Sequence, residues 1–585
     1  MVRGWLDHCD IHHTAHCKLS PKSESLFREL PGRLIDVNRM CVVSPQSRQR
    51  YAALSYVWGV TPTLRALRQN IDRLQDDGAL NSKSWVDSSQ VGNPAFNRST
   101  EGVQSHPLAH ELPLTIRHAM ELTRHLGQRF LWVDALCIVQ DDDTERQHQL
   151  DRMGSIYANA YITIVAAGGS ALSGLRGIRG ATPGMPRALK TAQHLRHYAR
   201  AHYLHEEILR TSRRVQDSLW SQRGWTFQEQ IFSRRLLVLE DTSVTWECHC
   251  AVWVEGMEAE EKQCQNDGPV AAQGFAFSAE PNFGEYARHV AQFNRRQLTY
   301  PEDALDAFAG ILAVLSETAF KEGFISGLPV RFFEPSLLWY NKGRLERREA
   351  KRQGGVKPVT MPPSWAWAAW SGAVEYDNLD LGDSGDSRKD GDNTLAKWRF
   401  ERPLVSWKYR ASPTEEWKPV TGIFTGRRSS SDSTERAPTT TSRDPASTTT
   451  PGEPAPTTAP GAGHTNDIRE QSEQSTTPET KPHLLLAYPL RAFFKIQQTF
   501  GQVTAILSNG SGGSAGSITS WGKQGTKGQL CELVAISISS LNGEEAYDVL
   551  WIEWEGGIAY RKGIGRIRKA AWEAAPTDCI KLILS

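Results

Sequence analysis

The strongest constraint on the fold is an alternation of short apolar runs and helical segments between residues 51 and 167. Tyr51–Gly59 has the pattern of a buried strand that a glycine ends, and Phe130–Ile138 and Tyr161–Ala167 are nearly all apolar, as strands covered on both faces are. Helices are predicted between them over Pro113–Gly127 and Thr144–Ala158, where apolar residues recur on one side. Strands that alternate with helices pair in parallel through right-handed crossovers. The sequence therefore predicts a doubly wound α/β domain with a parallel sheet.

Composition divides the rest of the chain into further regions. A chain of 585 residues exceeds the usual size of a single core, so additional folded regions are expected. Residues 1–50 form a preamble to the α/β domain of residues 51–255, and residues 256–424 form a helical and β extension. Residues 425–481 are rich in Ser, Thr, Pro and Gly and are predicted to be a disordered insertion, because they have almost no apolar residues for a core. Residues 482–585 are predicted to be a β-rich segment, so that the C-terminal part of the chain is mixed α+β.

Short strands are predicted in these outer regions. Leu34–Val37 is expected to be a strand of the preamble, and Pro363–Trp370 is expected to be a strand because its residues alternate at period two. Tyr547–Trp554 and Ile558–Arg561 are predicted to form a hairpin, since Glu, Gly and Gly separate two apolar runs.

Charge and hydropathy exclude several classes of partner. The net charge is only +1, from 67 Lys and Arg against 66 Asp and Glu, and no basic stripe or nucleic-acid motif is present, so no nucleic acid is expected to bind. The start of the chain lacks the apolar core of a secretory signal, and Ala304–Ala319 is too short and interrupted to cross a bilayer. Nine unevenly spaced cysteines do not form a disulfide framework. We therefore expect a cytoplasmic protein without a membrane partner.

Metal-capable residues cluster near the start of the chain at helical spacing, and two more cysteines lie far downstream. These residues are Cys9, His12, His13, His16, Cys17, Cys248 and Cys250. Their spacings match no zinc module, so no metal site is predicted. No Gly-x-Gly-x-x-Gly or Walker loop follows a predicted strand, which disfavours hydride transfer, and no bound cofactor is expected.

Three sequence blocks, in their order and spacing, resemble the fungal heterokaryon incompatibility (HET) domain family. The blocks are Leu54–Gly59 (LSYVWG), Leu131–Gln140 (LWVDALCIVQ) and Arg223–Glu229 (RGWTFQE). Leu112–Arg117 and Met153–Ala160 join them and strengthen the resemblance. One departure is Val139, inside the second block, where the family often has a polar residue.

The resemblance implies both a function and a fold. Members of this family are associated with vegetative incompatibility, in which fusion of unlike hyphae triggers programmed cell death. Such a protein responds to a non-self partner protein, which the sequence does not identify, and candidate modes of action include assembly into a homo-oligomer. The domain resembles the Toll/interleukin-1-receptor (TIR) fold, a flavodoxin-like sheet. Trp225 and Glu229 keep the Trp-x-x-x-Glu spacing of TIR domains, where the Glu is catalytic in NAD-cleaving members, although Thr226 replaces the Cys that often follows the Trp.

The resemblance implies that Glu229 is the catalytic residue of a site that takes NAD as a substrate. Ligands of a doubly wound sheet bind beyond the carboxyl ends of the strands, where Ser55, Tyr56 and Asp134 are expected to lie. Arg223 and Trp225 of the third block are assigned to the same site, as NAD contacts. Cleavage of the nicotinamide glycosidic bond passes through an oxocarbenium-like state and needs no general acid, so one carboxylate suffices.

Three alternatives remain open at this point. In the first, Glu229 is a surface residue paired with Arg234 or Arg235, and the domain is a non-enzymatic scaffold that acts by self-association. In the second, Asp134 is held by backbone N–H groups or by a helix N-terminus and has a structural role. In the third, the tryptophans of the three blocks, Trp58, Trp132 and Trp225, pack in the hydrophobic core and bind no ligand.

Overall fold

The computed structural model describes most of the chain. The residues outside its description are 18–26, 46, 82–110, 179–214, 216, 242, 256–259, 262–279, 352–360, 378, 382–397, 413, 424–482, 501–503, 509–512 and 521–525. The predicted disordered insertion, residues 425–481, therefore lies outside the described residues.

The N-terminal half is built on a nine-stranded sheet with the order β2-β1-β4-β3-β5-β6-β7-β8-β9 over the described residues. Its strands are β1 (Leu34–Asp36), β2 (Cys41–Val43), β3 (Tyr51–Ser55), β4 (Phe130–Trp132), β5 (Ile162–Ala166), β6 (Arg235–Leu239), β7 (Val244–Cys248), β8 (Ala251–Val254) and β9 (Glu260–Glu261).

Four neighbouring strands of this sheet, β4, β3, β5 and β6, pair in parallel. All residues of β3, β5 and β6 are buried, which explains their continuous apolar sequences. The flanking strands β1, β2, β7, β8 and β9 pair antiparallel. The predicted α/β class is therefore confirmed, but the sheet is mixed rather than wholly parallel, because hairpins extend the parallel centre on both sides.

The described helices connect and cover these strands. They are α1 (Val2–His12), α2 (Thr14–Cys17), α3 (Ile71–Leu74), α4 (Leu114–His125), α5 (Asp134–Cys137), α6 (Asp143–Asp151), α7 (Met153–Asn159), α8 (Thr226–Phe232), α9 (Phe283–Asn294), α10 (Asp306–Thr318), α11 (Phe333–Ser336) and α12 (Lys569–Glu573). Short 3-10 helices add Pro301–Ala304, Val330–Phe332 and Trp367–Ala369. No helix in the described part of the chain is long and apolar enough to cross a membrane.

The strand predicted over Phe130–Ile138 is wrong beyond Trp132. The carboxylate of Asp134 accepts a hydrogen bond from the N–H of Ala135 (2.7 Å), and the N–H of Cys137 binds the carbonyl oxygen of Val133 (2.8 Å). The chain therefore turns into the short helix α5 at Asp134, although its apolar sequence also suits a buried strand.

The helix predicted over Thr144–Ala158 is two helices. Asp142, and not Thr144, caps α6, because its side chain accepts a hydrogen bond from the N–H of Glu145 (3.0 Å). Arg152 separates α6 from α7 with φ −98° and ψ 0°, and its guanidinium binds Glu29 at 3.0 Å. The break sets α7 against α8.

The extension packs directly on α8. The ring of Phe227 on α8 stacks on Phe308 of α10 with ring centroids 6.1 Å apart. The side-chain oxygen of Gln228 accepts a hydrogen bond from the N–H of Gly310 (3.1 Å). The HET-like blocks and the extension thus share one hydrophobic core.

The strand predicted over Pro363–Trp370 is wrong, because the segment forms a turn and a 3-10 helix up to Ala369. The indole N–H of Trp367 donates to the hydroxyl of Tyr286 (2.9 Å), and that of Trp370 donates to the carbonyl oxygen of Ser364 (2.9 Å). Buried hydrogen bonds of the tryptophans therefore fix a compact turn in place of the pleat that their alternation favours.

The C-terminal part contains a largely antiparallel sheet of thirteen described strands. They are β16 (Leu379–Asp380), β17 (Trp398–Pro403), β18 (Lys408–Arg410), β19 (Lys418–Pro419), β20 (Leu484–Ala487), β21 (Leu490–Phe500), β22 (Thr504–Ser508), β23 (Ser514–Ser520), β24 (Leu530–Leu541), β25 (Glu544–Glu555), β26 (Ile558–Arg568), β27 (Asp578–Cys579) and β28 (Leu582–Leu584). Three small two-stranded sheets precede it, with strands β10 (Phe324–Ile325), β11 (Leu328–Pro329), β12 (Tyr340–Asn341), β13 (Glu346–Arg347), β14 (Trp370–Ser371) and β15 (Val374–Glu375).

The predicted C-terminal hairpin is confirmed and longer than expected. β25 and β26 pair antiparallel from Ala546–Arg568 to Glu555–Ile558. Gly556 and Gly557 form its turn with φ of 57° and 80°, a conformation that favours glycine. The hairpin is joined to the extension, since the guanidinium of Arg561 donates to the carbonyl oxygens of Leu337 (2.6 Å) and Trp339 (2.5 Å).

Candidate functional site

Ser55 occupies the central position of the parallel strands. It is the last residue of β3, which lies between β4 and β5, the strands that follow it along the chain. The order of the sheet therefore reverses at β3, and the carboxyl end of such a strand is where doubly wound sheets bind ligands. The Ser55 side chain is buried.

Glu229 reaches this strand end from α8. Its Oε2 atom accepts hydrogen bonds from the hydroxyl of Ser55 and from the hydroxyl of Tyr157 (3.1 Å). The Tyr157 hydroxyl also lies 3.3 Å from the carbonyl oxygen of Leu54. The carboxylate is thus held at the end of β3 by one side chain of β3 and one of α7.

A tryptophan completes the hydrogen-bonding of Ser55. The indole N–H of Trp220 donates to the Ser55 oxygen over 2.5 Å. The Ser55 hydroxyl accepts this bond and donates its own proton to the Glu229 carboxylate. Trp220, Ser55 and Glu229 therefore form a directed chain of hydrogen bonds.

The environment of Glu229 favours the protonated form of its carboxyl group. Only 7% of the residue is exposed. Burial raises its pKa to about 7; the hydrogen bond from Ser55 opposes this shift, the charge of Asp134 adds to it and Arg223 opposes it. At neutral pH both the acid and the carboxylate are therefore populated.

Asp134 lies near Glu229 but has its own hydrogen-bond donors. Its Oδ2 atom accepts a hydrogen bond from the indole N–H of Trp58 (2.8 Å), and its Oδ1 atom binds the N–H of Ala135. Burial of the carboxylate raises its pKa to about 6, against the effect of these donors and of the nearby Arg223 and Arg65. The hydrogen bond from Ala135 agrees with the structural interpretation of Asp134. The charge of Asp134 nevertheless acts on Glu229.

Tyr56 and Arg223 meet beside this pair of acids. A guanidinium nitrogen of Arg223 donates to the carbonyl oxygen of Tyr56 over 3.0 Å. Burial raises the pKa of the Tyr56 hydroxyl well above its usual value, and the charges of Asp134 and Glu229 act on it. Arg223 is partly exposed and places one positive charge next to the two carboxyl groups.

Trp225, the residue before α8, is directed toward the extension. Its indole N–H is directed at the carboxylate of Asp303 in the extension, at 3.4 Å. Arg296 of the extension holds the same end of α8, since its guanidinium donates to Thr226 (3.1 Å) and Gln230 (2.7 Å). Of the six residues predicted for the site, Ser55, Tyr56, Asp134, Arg223 and Glu229 come together, and Trp225 contacts the extension.

The alternative ion pairs predicted for Glu229 are not the contacts that the two arginines make. Arg234 donates to the carbonyl oxygens of Ala158 (2.9 Å) and Ala160 (3.0 Å), and Arg235 binds Asp10 at 2.8 Å. Both arginines follow α8 and are directed away from the Ser55 strand end.

Sequence reasoning missed three side chains of this site. Tyr157 and Trp220 bind Glu229 and Ser55, and Trp58 was assigned to core packing although its N–H holds Asp134. The signal for such positions is a Tyr or Trp in or near a sequence block. The hydroxyl of a buried Tyr and the indole N–H of a buried Trp usually have a hydrogen-bond partner.

The region that contains all of these residues has a counterpart among protein families. Residues 51–229 match the family model Heterokaryon incompatibility protein (HET). This part of the chain is therefore similar to the HET domain family. The match covers less than a third of the chain and ends at Glu229, the residue hydrogen-bonded to Ser55. No curated protein and no solved structure matches the chain.

Proposed function

We propose that this protein is a cytoplasmic heterokaryon incompatibility protein that responds to a non-self partner protein and initiates programmed cell death through NAD hydrolysis by its HET domain. The match of residues 51–229 supports the incompatibility role. The observation that carries the enzymatic part is the Glu229 carboxyl group, which Ser55 binds at the carboxyl end of β3.

The order of the parallel strands supports a TIR-like fold for this domain. In chain order the four parallel strands lie as 2-1-3-4 across the sheet. Flavodoxin-like sheets have this order and bind their ligand where it reverses. Ser55 lies at that reversal, and Glu229 is bound to it.

The proposed reaction breaks the bond between ribose C1′ and the nicotinamide nitrogen. The bonding electron pair goes to the nitrogen, so nicotinamide leaves as a neutral molecule, and water adds to C1′ and loses one proton. Ionised Glu229 stabilises the positive charge that develops on the ribose, and the Ser55 hydroxyl keeps the carboxylate in position. Arg223 is the side chain proposed to bind a phosphate oxygen of NAD.

Burial of Glu229 favours a second candidate, a non-enzymatic scaffold that acts by self-association. Glu229 is only 7% exposed and its carboxyl group is bound by Ser55 and Tyr157, so a substrate reaches it only after a rearrangement. Under the enzymatic proposal, assembly with the partner or with further copies of the chain causes that rearrangement. Under the scaffold proposal, assembly itself is the signal.

Glu229→Gln separates the two candidates. The substitution keeps the size of the side chain and removes its charge. We expect nicotinamide and ADP-ribose release from NAD by the oligomeric full-length protein to fall about a hundredfold or more, as loss of one preorganised charged group does. Because the carboxylate is the active form, release by the unaltered chain should rise as the pH increases through about 7, the pKa of Glu229. Chromatographic quantification of both products provides the measurement.

Glu334→Gln is the matched control. Glu334 is also a buried glutamate whose pKa burial raises to about 7, but it lies in the extension on α11. Its substitution should leave NAD cleavage unchanged. An oligomeric, unaltered chain that releases no nicotinamide, or a Glu229→Gln chain that still kills host cells on overexpression, would leave the scaffold as the mechanism.

A further inference from the structure

Four metal-ligating side chains from two distant parts of the chain converge where the N-terminal helices meet the sheet. They are Cys9, His13, Cys17 and Cys248. All four are buried, and their ligand atoms lie within 4.8 Å of one another. His13 and Cys248 are 235 positions apart, which is why spacing along the sequence did not reveal the group.

Helix geometry places the first three residues on one face. Cys9, His13 and Cys17 follow one another at intervals of four. The N–H of His13 binds the carbonyl oxygen of Cys9 (3.0 Å), and the N–H of Cys17 binds that of His13 (2.8 Å), so helical bonding continues from α1 to the end of α2. Residues four apart on a helix lie above one another. Cys248, the last residue of β7, faces them from the sheet.

Three thiols and one imidazole are the ligand set of a Cys₃His zinc site. Zinc–sulfur distances of about 2.3 Å and zinc–nitrogen distances of about 2.0 Å give a tetrahedron with edges of roughly 3.5 to 3.8 Å. The Nδ1 atom of His13 lies 3.5 Å from the sulfur of Cys248, which is such an edge. The other pairs of ligand atoms lie at most 4.8 Å apart, and small side-chain movements would bring them to the edge length of this tetrahedron.

The surrounding charges suit a thiolate site. Zinc with three thiolates and a neutral imidazole carries one net negative charge. The buried Arg235 donates from Nε to the sulfur of Cys9 over 3.2 Å, and it also binds Asp10. Arg234 donates to the carbonyl oxygen of Cys17 over 3.2 Å and so holds the backbone of a ligand. Donors of this kind orient metal ligands and stabilise their charge.

We propose that Cys9, His13, Cys17 and Cys248 bind one structural zinc ion that fastens the N-terminal helices to the β7 end of the HET-domain sheet. Four protein ligands fill a tetrahedral coordination sphere and leave no position for water or substrate, which is the arrangement of structural and not catalytic zinc. The surroundings are consistent with this role, because Trp253 of β8 stacks on His13 and contacts His8, with ring centroids 5.8 Å and 5.3 Å apart.

The other sequence candidates are not part of this group. His12 is exposed, and Cys250 is buried two residues beyond Cys248 without contributing to the four. The side chain of His16 lies outside the described residues.

Metal content of the purified full-length protein tests the proposal. Under reducing conditions, mass spectrometry of the metals should find about one zinc ion per chain. Cys9→Ser and Cys248→Ser should each lose most of it, because a hydroxyl is a poor zinc ligand at neutral pH. Cys531→Ser is the matched control, since Cys531 is a buried free cysteine in the C-terminal sheet and its loss should leave the zinc in place. A chain without zinc, or a Cys248→Ser chain with as much zinc as Cys531→Ser, would overturn the proposal.

A measurement on the unaltered chain keeps the test decisive if those variants do not fold. Cobalt(II) added after zinc removal should produce the intense visible absorption of a tetrahedral site and a near-ultraviolet sulfur-to-metal band. The rival arrangement is a disulfide between two of the three thiols. Alkylation of the denatured, unreduced chain distinguishes it, since two unmodified cysteines without cobalt absorption would exclude the metal site. Neither readout depends on NAD cleavage.

Discussion

Glu334 is a buried acid that the extension stabilises poorly. Its exposed fraction is 0%, and, apart from its own backbone N–H, neither carboxylate oxygen has a hydrogen-bond partner among the described residues. Burial raises its pKa from 4.5 to about 7. The folded chain therefore binds more protons than the unfolded chain between these two values. The free energy of unfolding that protonated Glu334 contributes at low pH is therefore lost as the pH rises through about 7.

Glu334→Gln should stabilise the protein only where this acid ionises. The variant is expected to match the unaltered chain near about pH 4.5 and to exceed its free energy of unfolding by on the order of 3 kcal/mol above about pH 8. Calorimetric unfolding temperatures across this range measure the difference. Glu544→Gln, at an exposed position, serves as the control and should show no such pH-dependent gain. A gain for Glu334→Gln that is equal at all pH values would contradict the ionisation argument.

The residues of the candidate site were predictable only where a sequence block contained them. Ser55 and Glu229 were found because each lies in a block, and the structure adds that they bind each other across 174 positions. Tyr157 and Trp220 bind the same pair, but a tyrosine among apolar helix residues and a tryptophan in a loop look like ordinary core residues in the sequence. Hydrogen-bond partners are set by tertiary contacts, which no local pattern contains.

At the scale of single elements, β23 and β26 approach each other unusually closely. Gly516, Gly563 and Gly565 lie along this pair. A Cβ atom on Gly565 would lie 2.2 Å from the carbonyl oxygen of Ser517, and one on Gly563 would lie 2.6 Å from that of Thr519. These neighbours are backbone atoms in a paired strand, so they cannot move aside as a side chain does.

Gly565→Ala should therefore separate the two strands. We expect a loss of about 2 kcal/mol or more in the free energy of unfolding, which is typical of overpacking. Gly343→Ala is the control, because a Cβ atom there meets nothing within 4 Å, and its effect should stay within about 0.5 kcal/mol. Thermal unfolding followed by tryptophan fluorescence reports both. Equal effects of the two substitutions would show that the strands adapt.

Elements with a strong local signal were predicted well, and elements governed by distant partners were not. The helix at Leu114–His125 ends where expected, with Gly127 at φ 71°, because its apolar face and its glycine act locally. The strand predicted over Phe130–Ile138 stops at Trp132, since one hydrogen bond of Asp134 turns the chain. The Trp367 segment is bent by a hydrogen bond to Tyr286, 81 positions away.

At the scale of the whole molecule, the segment of residues 425–481 should be dispensable for folding. The residues on its two sides bind the same stretch of the extension: the N–H of Ile423 binds the carbonyl oxygen of Arg331 (3.0 Å), and His483 bonds with Ser326 (2.9 Å). A short linker can therefore replace the segment without strain.

Deletion of residues 425–481 with a short Gly-Ser linker is expected to leave the unfolding temperature nearly unchanged, because the segment has too few apolar residues to bury a core. Differential scanning calorimetry measures this. A Gly-Ser segment of the original length is the control for strain at the new junction. If both versions unfold at a clearly lower temperature or lose soluble yield, the segment packs against the rest of the chain.

The docking of α1 on β7 and β8 has a consequence for synthesis of the chain. Trp5 and His8 pack on Trp253, and His13 meets Cys248 across 235 positions. At about 5 to 20 residues per second, a ribosome needs about 12 to 47 s to translate from one partner to the other. During that interval α1 has formed its apolar face, but the strands that cover this face have not yet been translated. Nascent chains that end before β7 therefore leave this face uncovered, and completion of β7 and β8 ends that exposure.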